Sequence, residues 1–114
     1  MEDFYRNIEN KTLLLRKDNE FYLSIIEYKV IFTIISNENG IIDLDTQLQK
    51  SCTYNDFIKC FETICIYLFE KEKPNKIITK KPAFLKDLFL KDKYEFDGEF
   101  LIKFNELKKN RKRG

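Results

Sequence analysis

A chain of 114 residues, 43% hydrophobic and 15% aromatic, is long enough to bury one core and too apolar to remain disordered. Its 21 Lys/Arg and 19 Asp/Glu leave a net charge of +2, so the total charge names no partner. No His is present, which removes imidazole acid–base chemistry, Ser-His and Cys-His nucleophile pairs and most zinc sites, and three glycines leave no glycine-rich phosphate loop.

Taken in order, Met1–Asn10 reads as a short strand or turn with Phe4, Tyr5 and Ile8 as packing points. Next, two β-prone runs, Thr12–Arg16 and Glu20–Leu23, flank Lys17-Asp18-Asn19, a hairpin pattern. The run Leu23–Ile35 predicts the central helix of the core. Ser24 and Glu27 have capping-box spacing, Leu23 and Tyr28 that of a hydrophobic staple, and the stretch is apolar on almost every side. Asn37-Glu38-Asn39-Gly40 would stop it.

Ile41-Ile42 is a brief extended piece, and Asp43 caps a short second helix through Lys50. A third helix is predicted from about Tyr54 to Glu70, capped by Thr53 or Asn55, with Phe57, Phe61, Ile64 and Leu68 on one buried face; Pro74 limits it. Ile77–Thr79 and Phe84–Leu90, joined by Lys80-Lys81-Pro82-Ala83, read as a hairpin with a lysine-bearing tip. Asp97-Gly98 suits a type I′ turn between Tyr94/Phe96 and Phe100/Ile102/Phe104. The organisation predicted is one domain over 1–104 and a basic tail over 105–114.

Charge is unevenly placed. Residues 1–70 hold 7 Lys/Arg against 12 Asp/Glu, a net −5, and residues 71–114 hold 14 against 7, a net +7. A basic end behind an acidic body hints at a polyanion or a membrane surface. No apolar run reaches spanning length. Cys52, Cys60 and Cys65, an odd set without CxxC spacing, fit a reducing cytoplasm and use as small apolar residues.

Three helices followed by a two-stranded ribbon, with a hairpin in front, predict an α+β winged helix-turn-helix. The order resembles the OmpR/PhoB-type winged-helix DNA-binding domain, and within it the membrane-anchored ToxR/CadC branch. Leu23, Ser24, Glu27, Tyr28, Lys29, Ile31, Ile34 and Ile35 are arranged as in that family's first helix. Gly40, Ile41, Ile42 and Asp43 are similar to its Gly turn and second helix, and Phe57, Phe61, Ile64 and Leu68 to the inward positions of its recognition helix. Pro74, Ile77, Thr79 and Phe84 follow the order of its wing. The likeness covers roughly residues 12–90 and departs at Ile64-Cys65-Ile66-Tyr67-Leu68, where the family carries Arg and Lys.

What the resemblance implies is a transcriptional regulator on double-stranded DNA, cytoplasmic, without cofactor, small-molecule substrate or enzymatic activity. It would act as a homodimer or with a partner regulator, and the ToxR-like branch adds a membrane tether beyond residue 114. Helix 54–70 would lie in the major groove, with Asn55, Lys59 and Thr63 toward base edges. Lys76, Lys80 and Lys81 of the wing, and the tail, would meet phosphate. The residues leave a second reading open: an ordinary core helix on a protein-interaction module, a partner subunit or phage-type inhibitor. There Ile66 and Phe69, apolar and toward the outer face of the third helix, would contact protein; the alternative is that they pack under the C-terminal hairpin with Phe96, Phe100 and Phe104.

Overall fold

The structure is a computed structural model that describes residues 2–25, 28–49, 52–82 and 94–106. Among these, eight strands form one sheet and one helix packs on it. The strands are β1 (Glu2–Asn7), β2 (Thr12–Lys17), β3 (Glu20–Ile25), β4 (Tyr28–Glu38), β5 (Ile41–Leu48), β6 (Lys76–Lys80), β7 (Glu95–Asp97) and β8 (Phe100–Phe104), with α1 (Tyr54–Lys71) between β5 and β6. Their order across the sheet is β1-β2-β3-β4-β5-β6-β8-β7. β1 to β5 form an antiparallel meander; α1 is the crossover that lets β6 pair parallel to β5, and β8 then pairs antiparallel to β6. A helical crossover is what a parallel pair requires.

This corrects the winged helix. The expected first helix, Ser24 to Ile35, is the end of β3 and most of β4, and the expected short helix from Asp43 is β5. The physical cause is β-branching. Ile25, Ile26, Val30, Ile31, Thr33, Ile34 and Ile35 are stiff at χ1 and favour a pleated surface over a helix. Val30 and Phe32 point inward and are buried, while Ile31 and Thr33, each one residue on, are half-buried on the other side. A strand lined with apolar residues on both faces looks the same in sequence as a helix apolar all round. The register shifts between Ile34 and Ser36, which leaves Ile35 as an exposed bulge.

Asn39-Gly40 does not cap a helix. Both residues have positive φ, 55° and 76°, and they join paired Glu38 and Ile41, as in a type I′ hairpin. β6 is no wing: it lies inside the sheet between β5 and β8. The wing's other strand, Phe84–Leu90, and the tail beyond Glu106 fall outside the described residues.

Other expectations agree with the structure. The hairpin at Asp18-Asn19 joins β2 to β3. The third helix is α1, begun by Thr53 in a full capping box with Asp56. It ends where Glu72 and Lys73 both donate to Leu68 O, with Lys73 at φ 51° and Pro74 next. The turn between β7 and β8 sits one residue later than expected: Gly98-Glu99 joins paired Asp97 and Phe100, and only Gly98 has positive φ, the type II′ pattern.

α1 packs across β2, β3 and β4. Its inner residues Phe57, Phe61, Ile64 and Leu68 are fully buried against Leu14, Phe21, Leu23, Val30 and Phe32 of the sheet. Phe57 and Phe61 stack at 5.8 Å, and Phe32 tilts against both. Ile42, Leu44, Ile77 and Leu101 continue the same buried face across β5, β6 and β8.

Candidate protein interface

The strand period of two sorts the residues named in the sequence. Asn55 and Lys59 are exposed on α1. Thr63 is fully buried: its hydroxyl donates to Lys59 O at 2.8 Å and accepts from Asn7 Nδ2 at 3.3 Å. The three therefore do not share an outward face. Lys76 and Lys80 flank Ile78 on the sheet face away from α1. Lys76 Nζ lies 5.7 Å from the Phe104 ring centre. Lys81, just past β6, donates its backbone N–H to Glu99 O and holds its ammonium 5.2 Å from the Phe96 ring. The sheet itself separates Asn55 and Lys59 from Lys76 and Lys80.

Ile66 and Phe69 do come together. They line a groove between the flank of α1 and β8, with Tyr94, Lys103 and Phe104 around them, in two adjoining hollows of about 320 and 220 Å³. Ile66 is 40% exposed there and Phe104 37%. Glu62, Glu70 and Glu106 also line the groove, and the Lys103 ammonium sits 5.3 Å from the Tyr94 ring. Burial pushes the Tyr94 phenol and the Cys65 thiol up, so both stay neutral.

A second apolar surface is one the sequence did not mark as a site. Helix-facing residues are Leu14, Phe21, Leu23, Val30 and Phe32; their neighbours in sequence face the other way. Following the registers, Phe4, Leu15, Tyr22 and Ile31 form one row across β1 to β4, with Leu13 and Ser24 beside it. A shallow hollow of about 340 Å³ lies among Phe4, Leu13, Leu15, Lys17, Tyr22 and Ser24. Phe4 is 60% exposed. No described element covers this row.

Carboxylates outnumber bases among the described side chains of this face. Among described side chains the open face carries Glu2, Glu20, Glu38, Asp43 and Asp45 on β1 to β5, and Glu95 and Asp97 on β7. Its bases are Arg6, Lys17, Lys76 and Lys80, and Lys17 already holds its ammonium 5.8 Å from the Tyr22 ring. Partial burial, with Asp45 nearby, raises the Asp43 carboxyl above its ordinary value. The signal for this face lay in TLLLRK, where Leu13 and Leu15 are apolar on the parity opposite to Leu14.

Strand β1 is clamped from the helix side. The Tyr67 hydroxyl donates to Asp3 Oδ2 at 2.6 Å, and the Tyr5 and Tyr67 rings meet edge-on. Arg16 lies over the rings of Phe21 and Tyr67 and bonds Glu72 at 3.0 Å. The Tyr67 hydroxyl, with the Phe4 amide, holds the Asp3 carboxyl below its ordinary value, and burial raises the Tyr67 phenol.

Among the described residues no group of three His, Cys, Asp or Glu is placed to hold a metal, and no helix is long and apolar enough to cross a membrane. No protein-family model matches the chain, and no curated protein matches it.

Proposed function

We propose that this protein is a protein-interaction module, of the partner-subunit or inhibitor type, and that it binds through the open face of its sheet. The observation that carries this is the row Phe4, Leu15, Tyr22 and Ile31, which no described element covers, on a face whose described side chains on β1 to β5 include five carboxylates and two bases. Apolar side chains at the centre supply the affinity once water is excluded, and the charged surround orients the encounter. A surplus of carboxylates selects a partner whose contact surface is apolar at its centre and basic at its rim. The same surplus repels phosphate, which disfavours nucleic acid on this face.

The experiment compares the wild-type chain with a Leu15→Glu/Tyr22→Glu variant, each shown folded by circular dichroism. Both are used to capture proteins from the source cells, and the captured protein is then purified and titrated by calorimetry. The expected result is binding by the wild type, loss on the double variant, and weakening as salt rises. Fluorescence anisotropy with a random-sequence DNA duplex at low salt runs alongside. Tight DNA binding, or a partner indifferent to the double variant, would overturn the proposal.

A further inference from the structure

Among the described residues strand β1 is an edge of the sheet, paired on one side only, to β2. The two-residue turn between Lys17 and Glu20 fixes which backbone groups point which way. Lys17, Leu15 and Leu13 turn their N–H and C=O groups toward β3, so Arg16, Leu14 and Thr12 bond β1 through Asp3, Tyr5 and Asn7. Glu2, Phe4 and Arg6 are left facing outward. In agreement, the Phe4 amide bonds no strand; it donates to Asp3 Oδ1 at 2.9 Å.

The outward residues read acid, aromatic, base, at a spacing of two, and all three are exposed on the open face. Such a strand is its own complement when reversed. Against an antiparallel copy centred on Phe4, Glu2 stands opposite Arg6 of the second copy, Phe4 opposite Phe4, and Arg6 opposite Glu2. Each of these is a pair whose backbone groups both face the junction, so the ladder closes without a shift of register. Edge strands that avoid such pairing carry bulges, Pro or a central charge. β1 has no bulge against β2, and its central outward side chain is Phe4.

We infer that the protein dimerises edge to edge through β1, with a second copy of this chain as the occupant, to give one continuous sheet about a two-fold axis. The dyad stands normal to the sheet, so both helices lie on one side and both open faces on the other. Two Glu2–Arg6 pairs flank the Phe4–Phe4 contact, and the Phe4 amide exchanges Asp3 Oδ1 for a carbonyl of the other copy. The row Phe4, Leu15, Tyr22 and Ile31 is then doubled in length across the dyad. The inference stands apart from the identity of any open-face partner.

Sedimentation over a concentration series tests it on the full chain. The wild type is expected to dimerise. Glu2→Arg alone, or Arg6→Glu alone, turns both symmetry-related pairs repulsive and should weaken the dimer on the order of tenfold or more. Both residues are exposed, so circular dichroism should be unchanged. An equimolar mixture of the two single variants should regain the dimer, and so should the double swap Glu2→Arg/Arg6→Glu. The Leu15→Glu/Tyr22→Glu variant should still dimerise, which separates this edge from the open face. A chain monomeric at every concentration overturns the inference, as does a dimer insensitive to both reversals or single variants that fail to rescue each other.

Discussion

The two faces of this sheet are built from the same strands, often from adjacent residues, yet they live under different physical rules. On the helix side Phe21, Phe32, Phe57 and Phe61 are fully buried and ring-packed. On the other side Phe4 is exposed and Leu15, Tyr22 and Ile31 are half-buried, in a row that no described element covers. The first face keeps the fold; the second is apolar beyond what the fold requires. That excess is what the proposed binding rests on.

The contrast is broken or sharpened most strongly by truncating one residue from each face. Phe61→Ala should cost about 3–5 kcal/mol in urea unfolding, because the cavity opens in a packed aromatic cluster. Leu15→Ala should cost about 1 kcal/mol or less. Equal losses would mean that the open face is part of the core and not a surface.

Gly40→Ala comes next. Gly40 holds φ 76°, and an added Cβ would run into the Asn75 side-chain amide. Asn75 N–H and Lys76 N–H both donate to Gly40 O, and Asn105 N–H donates to Asn75 O. One turn thus ties β5 to the starts of β6 and the end of β8. A loss of about 1–3 kcal/mol is expected in the same unfolding measurement. No loss would show that this end of the sheet yields without disturbing either face.

How much of this could be read from the residues follows from what is local. α1 was legible because its cap, its periodic Phe57, Phe61, Ile64 and Leu68, and Pro74 after its end are all short-range signals. The Asp18-Asn19 and Gly98 turns were legible for the same reason. β4 was not, since Ser24 and Glu27 offered a capping-box spacing and the β-branched run hid its alternation. Asn39-Gly40 is as compatible with a helix stop as with a hairpin turn, and only the strand character of the residues before it decides between them. The pairing of β6 with β5 and β8 joins residues far apart in sequence, and no local pattern states it. For the candidate interface, Ile66 and Phe69 were marked as outward and apolar, and they do line one groove. The Phe4–Ile31 row needs the registers of four strands before it exists as a surface.

A third test uses acid. Tyr67→Phe removes the hydroxyl that bonds Asp3 Oδ2 from the buried side of β1. Asp3 has its folded pKa held below the unfolded value of about 3.9. Its contribution is therefore present above that value and is lost as pH falls through the folded pKa. The wild type should show this loss on its acid limb below about pH 4, and Tyr67→Phe should show less of it. Coincident acid limbs would mean that the clamp on β1 does not depend on this bond.

The smallest effect belongs to the open face. Asp43 lies there with its folded pKa raised, first by partial burial and then by Asp45. The sign is opposite to that of Asp3. A raised carboxyl favours the protonated form in the fold, so ionisation works against stability as pH rises past the unfolded value of about 3.9 and continues to do so at neutral pH. Asp43→Asn should therefore stabilise the isolated protein slightly at pH 7, by about 0.5 kcal/mol or less, and should change nothing near pH 2. If the open face binds a basic surface, the same variant should weaken that binding while it steadies the fold. Opposed movements of stability and affinity from one half-buried carboxylate are what a face kept acidic for a partner predicts. Movements in the same direction would make Asp43 a packing residue and return this end of the open face to the core.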